Sequence, residues 1–232
     1  VGNHKIVFSS KSALDDFSKI YPENNAKTFV VNFASVNFIS GFPSKEEIRK
    51  KYDLPEYFFY SPNQFWKHKN HFIIIEALRE LKKKNIFLVV VFSGKESDYR
   101  NPGYITELKE KISVSGLADQ IKFVGFIDRE DVFALMKHSV AVIQPSLFEG
   151  WSTVVEDCKS VNGFLLLSDL PVHREQMKDN VIFFNPHDAL QLSEKIASLS
   201  VNPPLKKESD YKNAIIKFSN DFLEMVINSN KN

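Results

Sequence analysis

The chain has 232 residues, 43% hydrophobic and 25% charged, with 30 Lys and Arg against 29 Asp and Glu for a net charge of +1. Those proportions describe a globular chain of one or two domains and exclude disorder, collagen and a disulfide scaffold. Near-zero net charge removes the electrostatic reason to expect nucleic acid as a partner, and the one cysteine, Cys158, cannot form an internal disulfide and suits a reducing cytosol.

In chain order, the opening Val1-Gly2-Asn3-His4-Lys5 lacks an apolar leader. Residues 5–8 then read as a strand, 10–21 as a helix and 28–33 as a second strand. After Gly41-Phe42-Pro43, Ser44 with Glu47 three positions on predicts a capped helix. Two strands and a helix cannot close a sheet alone, so this region is either an edge of the main domain or the tail of another. Residues 57–61, 86–92, 121–124, 140–144, 164–168 and 181–184 are short apolar runs, the pattern of parallel strands covered on both faces. The longest of them, 86–92, is far too short to span a bilayer.

Helical patterns lie between these runs. Ile74, Ile75, Leu78 and Leu81 form a core-facing stripe within 71–81; Pro102 and Gly103 open a helix ending near Ser115, with Gly116 just beyond it. Asp128 with Asp131 predicts a capped start before Val132. The Lys82-Lys83-Lys84 run sits at a helix C-terminus, where cations favour the dipole, and reads as a solvated helix end. Strands alternating with helices predict an α/β class, with a Rossmann-like open parallel sheet over about residues 54–200. Pro203-Pro204 breaks the chain before a helix near 210–228, whose stripe of Ile215, Phe218, Phe222 and Met225 must bury against something.

In such a sheet ligands bind beyond the carboxyl ends of the strands, which singles out three loops. The first, from Pro62 through Gln64, Trp66, Lys67, His68, Lys69 and Asn70, is either an anion site or a solvated basic loop around a buried Trp. His68 and His71 could bind a metal only with a third ligand. The second, Ser93-Gly94-Lys95, has a lone glycine permitting close backbone approach to a ligand, with no dinucleotide fingerprint. The third runs from Pro145 to Cys158. Ser152 and Thr153 suit a helix N-cap, a diphosphate there would meet unpaired N–H groups, and Asp157 one turn on could accept both hydroxyls of a sugar diol. The competing reading is a capped helix carrying two solvated acids, with Cys158 as a small buried packer.

Pro145-Ser146-Leu147-Phe148-Glu149-Gly150-Trp151 with Asp157 resembles the P-S-x-x-E-G-F-G-x-x-x-x-E signature of the retaining group 1 glycosyltransferases, family 4. Other blocks agree in order: Lys69-Asn70 stands at the family's Lys-Gly, Val89 to Lys95 resembles its V-x-x-G strand, Ile121 to Phe126 its F-x-G block, and His173-Arg174-Glu175 its P-E block. The resemblance implies a GT-B fold, of which residues 43–205 would be the nucleotide-sugar-binding domain. Residues 1–42 would be the end of a mostly absent acceptor domain with its linker, and 206–232 a helix packing back toward it. The Ile215, Phe218 and Phe222 stripe would then be partly uncovered.

The implied activity is sugar transfer, with retention, from a UDP- or GDP-linked donor to a saccharide or lipid-linked saccharide. The implied setting is cell-surface polysaccharide assembly at the cytoplasmic face of the membrane, with no bound metal or cofactor. Lys69 would neutralise the diphosphate and Glu149 would bind donor-sugar hydroxyls. Gly150, Trp151, Ser152 and Thr153 would offer backbone N–H groups, Asp157 would hold the ribose, and Phe126 would line the base pocket beside Gly94. The alternative is a non-catalytic nucleotide-sugar-binding module that complements a separate acceptor-domain chain. Four positions depart from the family. Asp157 replaces a Glu, with Glu156 beside it as a substitute; Gln64 replaces an Arg, with Lys67 as compensation; Gly150-Trp151-Ser152 replaces G-F-G; and Asn162 and Phe164 stand at a usual Gly and Pro.

Overall fold

The computed structural model describes residues 5–36 and 41–229. The opening Val1-Gly2-Asn3-His4 of the leader reading, 37–40 of the expected linker and 230–232 lie outside the described residues. A small unit comes first: β1 (Lys5–Phe8), α1 (Lys11–Ile20) and β2 (Lys27–Val30), with β1 and β2 paired in parallel as a two-stranded sheet of their own. Ser10 caps α1 through its side chain, and Phe8, Phe17 and Tyr21 stack in series at about 5 Å.

The rest alternates helices and strands: α2 (Lys45–Tyr52), β3 (Phe58–Pro62), α3 (His71–Lys83), β4 (Val89–Ser93), α4 (Tyr104–Val114), β5 (Ile121–Gly125), α5 (Arg129–His138), β6 (Val142–Gln144), α6 (Thr153–Ser160), β7 (Leu165–Ser168), α7 (Pro171–Gln176), β8 (Val181–Phe184) and α8 (Ala189–Val201). Strands β3 to β8 form one parallel sheet in the order β5-β4-β3-β6-β7-β8, the doubly wound arrangement. Side chains alternate between two cores. Phe59, Val90, Phe92, Ile143 and Leu166 face α3, α4 and α8, while Phe58, Tyr60, Val91, Val142 and Leu167 face α2, α5 and α6. Both faces are dry, which is why the strands read as unbroken apolar runs.

Strand β4 is shorter than the expected 86–92 run. Asn85 turns the chain at φ 56° and the Ile86 N–H bonds back to Leu81, which leaves Phe87 exposed. The Ser44–Glu47 box closes reciprocally at the start of α2. Asp128 occupies the N-cap of α5 without a side-chain bond, and the Asp131 carboxylate turns instead to Lys51 and Tyr52 of α2. Lys82 is not simply solvated: it donates to the Ser115 and Gly116 carbonyls at the end of α4.

The last helix, α9 (Lys212–Ser229), leaves Phe222 exposed and Ile215, Phe218 and Met225 half-buried, so its stripe is partly uncovered as the resemblance implied. No helix among the described residues is long and apolar enough to cross a membrane. The N-terminal unit docks through Glu175 of α7, whose carboxylate accepts from the Lys11 and Ser12 N–H groups at the start of α1 at 2.9 and 3.2 Å. Glu175→Ala removes this charged cap and is expected to cost about 1 kcal/mol. The loss is expected to appear as faster amide exchange confined to α1, and uniform exchange across the sheet would contradict it.

Candidate functional site

The strand order reverses between β3 and β6, and the loops leaving these two strands face each other across the crevice. The β3 loop carries Lys69 and the β6 loop carries Glu149; their side chains meet at 2.6 Å, 13% and 10% exposed. Glu149 Oε1 also accepts from Ser146 Oγ at 2.7 Å and Gln144 Nε2 at 2.9 Å. Burial pushes the Glu149 carboxyl up, but the Lys69 charge and the hydrogen bonds from Lys69 and Ser146 outweigh it and hold it below its ordinary value. The Glu149 carboxyl thus stays ionised beside the Lys69 side chain at the switch point.

Beside this pair opens a cleft of about 320 Å³. Its walls include Gln64, Trp66 and Lys69 from the β3 loop, Gly94 after β4, Phe126 and Ile127 after β5, and Thr153, Val154 and Asp157 of α6. Thr153 and Val154 are the first residues of α6, whose N–H groups have no intrahelical acceptor. Phe126 is 81% exposed at the rim, a free apolar face. Gly94 has φ +143°, and a Cβ there would fall 2.2 Å from the Asn63 carbonyl oxygen. The close approach this glycine serves is therefore to the β3 loop as well as to the cleft.

The two acids of α6 part company. Glu156 is buried away from the cleft wall, accepting from Gln176 at 2.9 Å, Lys159 at 2.9 Å and the Tyr211 hydroxyl at 2.6 Å. Asp157 faces the cleft and pairs with Arg129 at 2.7 Å while accepting from the Ser35 hydroxyl. Neither acid is simply solvated. Arg129 was not among the expected site residues, since nothing local marks it; only the fold brings it to a carboxylate 28 positions away.

Several expected donor-site residues lie elsewhere. Lys67 is exposed and lines a neighbouring hollow with Asn70, Tyr104 and Leu147 rather than the cleft wall. The Trp151 indole N–H donates to the Phe33 carbonyl at 2.9 Å and packs edge-on to the Phe33 ring, so this side chain seats the N-terminal unit. The Ser152 N–H is taken by Gln176, whose amide also donates back to the Ser152 carbonyl. Gly150 is outside the cleft wall and adopts no positive φ. Of this stretch, Thr153 and Val154 are the residues that line the cleft.

Asn70 and Asn162, standing at the family's glycines, both take left-handed backbone at φ 57° and 55°, the conformation asparagine tolerates best after glycine. His71 is sealed against Phe65, Phe92 and Tyr104, and burial pushes its imidazole down to about 3, which makes it a neutral core residue. Among the described residues no group of three or more His, Cys, Asp or Glu is placed to hold a metal. Cys158 is buried and its thiol is pushed up to about 12 by burial, as a packer's would be.

Residues 44–218 match the family described as Glycosyl transferases group 1. Over 204 residues the chain is 21% identical to the O-antigen chain mannosyltransferase RfbU of Salmonella typhimurium, covering 87% of this chain and 54% of that protein. Alr3699/HepE of Anabaena, solved in complex with UDP and glucose, aligns with a TM-score of 0.82 at 15% identity, over 96% of this chain and 62% of that one. A glycosyltransferase from Rickettsia africae ESF-5 aligns with a TM-score of 0.72 at 19% identity, over 94% and 59%. The chain spans about half the length of the curated relative and somewhat more of the solved chains. The solved structures speak for the GT-B fold, and the family match, which runs through well over half of the chain, places it among the group 1 glycosyltransferases.

Proposed function

We propose that this chain carries the donor half of a retaining glycosyl transfer, binding a nucleotide-diphosphate sugar in the cleft beside the Lys69–Glu149 pair. That pair is the observation that carries the reading: a nearly buried salt bridge at the strand-order reversal, against a cleft also lined by the first residues of α6. In this reading the base lies against Phe126 and Ile127 and the ribose diol bonds to Asp157. The diphosphate lies between the Lys69 ammonium and the Thr153 and Val154 N–H groups. Negative charge grows on the diphosphate as the sugar departs, and fixed positive groups in a water-poor cleft stabilise that charge most where it develops. Glu149 orients the sugar through its hydroxyls. The departing phosphate and the acceptor hydroxyl share one face of the sugar, which retains its configuration, and no resident metal or cofactor takes part.

Support comes from the relatives. Alr3699/HepE was solved with UDP and with UDP-glucose, and RfbU is an O-antigen mannosyltransferase. The acceptor in this reading is a saccharide or lipid-linked saccharide of cell-surface polysaccharide, met at the cytoplasmic face of the membrane. In this reading an acceptor-binding domain, in the same or a separate chain, faces the cleft from the side of the N-terminal unit, whose following segment bonds to Trp151 and Asp157 through Phe33 and Ser35.

The test is a thermal-shift titration with UDP, GDP, ADP and their glucose and mannose conjugates, on the wild type and on Asp157→Ala. Ligand at about 100 times its Kd stabilises by about 2.7 kcal/mol. One base is expected to shift the wild type and to lose that shift in Asp157→Ala, where the Arg129 left behind is 55% exposed and finds water. A shift unchanged by the substitution, or none with any nucleotide, would refute the donor site.

A further inference from the structure

The Glu149 carboxylate is held unequally. Oε1 accepts from Lys69, Ser146 and Gln144, whereas Oε2 accepts from no described residue. Oε2 is nevertheless not sealed in: the buried side-chain atoms lacking a partner among the described residues are Asn63 Oδ1, His71 Nε2, Gln144 Oε1 and His173 Nε2. Oε2 therefore keeps a vacant acceptor position with some access to solvent.

Gln144 makes this asymmetry, at a cost to itself. It is fully buried at the end of β6, next to the apolar Val142 and Ile143. Its amide nitrogen donates to Glu149 and to Ser146 Oγ at 2.9 and 3.1 Å, while its own carbonyl oxygen has no partner. An orphaned buried acceptor carries its full desolvation penalty, which an apolar side chain of similar length would not. Turning the amide over would set its carbonyl against the carboxylate, so the orientation follows from the partner. The amide's bonds to Ser146, Glu149 and, at 3.5 Å, Ser152 Oγ stand against that penalty, and the one that reaches a candidate site residue is the bond to Glu149. A mobile ammonium alone could straddle both carboxylate oxygens, but two further donors fixed on Oε1 set the carboxylate plane.

We propose that Gln144 is a positioning residue for the donor sugar: its amide fixes Glu149 Oε1 so that Oε2 points outward to accept from a sugar hydroxyl. This rests on the donor-site reading above. The groups facing Glu149 that carry or can carry charge are Lys69, His173 and His68, and burial holds both imidazoles toward their neutral forms. Loss of the Gln144 N–H thus leaves the Glu149 carboxylate more easily protonated, because a hydrogen bond given to the charged form favours it.

The experiment is calorimetric titration of Gln144→Met with UDP, UDP-glucose, GDP and GDP-mannose, alongside its thermal unfolding. The unfolding temperature is expected to hold or rise and the affinity for the nucleoside diphosphate to stay put. The extra affinity of the sugar nucleotide over its diphosphate is expected to fall about tenfold, the scale of one hydrogen bond to a charged group. The pH below which that extra affinity disappears is expected to move upward. Ser146→Ala, which removes the neighbouring donor and leaves Gln144 in place, is expected to act in the same direction and serves if Gln144→Met does not fold. An unchanged sugar increment, an equal loss for diphosphate and sugar nucleotide, or a wild type that binds the sugar nucleotide no better than its diphosphate would overturn the positioning role alone. A wild type that binds no nucleotide overturns the donor site, and this inference with it.

Discussion

Lys69→Met is expected to destabilise the chain by about 3 kcal/mol at neutral pH, since breaking a buried ion pair leaves its partner uncompensated. Both side chains are nearly buried, so solvent screening offers little relief. The pH dependence gives the diagnosis. In the wild type the Glu149 carboxyl lies below its ordinary 4.5, so its contribution is present above that value and fades as pH falls through the lowered one. In the variant, burial acts without the Lys69 charge and raises the carboxyl, so protonation relieves the strain. The deficit should therefore be full near neutrality and shrink on acidification, which urea unfolding at about pH 7 and about pH 4 would read. Adding Glu149→Gln to Lys69→Met should recover most of the stability at neutral pH. A deficit independent of pH would show that Lys69 supports the fold through packing alone.

Gly94→Ala is the second large effect. A Cβ would sit 2.2 Å from the Asn63 oxygen and 2.7 Å from its carbonyl carbon, at a φ of +143° that side-chain-bearing residues avoid. The obstacle is backbone, which cannot swing aside as a side chain would. We expect a loss of about 3 kcal/mol and a fall in Tm of roughly 10 °C. Gly150→Ala is the contrast, because its Cβ would meet only the Ser9 hydroxyl at an ordinary 3.6 Å. Calorimetry of the two variants should show a large shift for Gly94→Ala and almost none for Gly150→Ala. Equal effects would mean that the β3 and β4 loops yield to each other.

What local pattern could reveal was the scaffold. Val89 to Phe92 and Leu165 to Leu167 announce strands because a sheet covered on both faces has no polar side to interrupt the run. The helix ends were legible from Ser44 with Glu47 and from Gly116, whose chemistry acts within one turn. Asp128 does stand at the N-cap of α5, though without a side-chain bond, and its neighbour Asp131 bonds to α2, some 80 residues earlier in the chain. The site shows the same division. The motif located Lys69, Glu149 and Asp157, but their partners are distant in sequence: Glu149 lies 80 positions from Lys69, and Ser35 lies 122 from Asp157. The motif speaks only for the backbone N–H of Trp151; its indole bonds to the Phe33 carbonyl, 118 positions away, which no local pattern announces. Asn162 stands as a departure by sequence, and its left-handed backbone angle gives the reason, as it does for Asn70.

The two tryptophans occupy the two places where this molecule has most to report. Trp66 forms part of the cleft wall, with the Arg100 guanidinium 4.9 Å from its ring, whereas Trp151 is fastened across the seam to Phe33. Their emission therefore answers separate questions: quenching of the first follows occupancy of the cleft, and a spectral shift of the second follows release of the N-terminal unit. The chain has only these two indoles, so each can be silenced in turn and the order of the two events timed without attaching a dye.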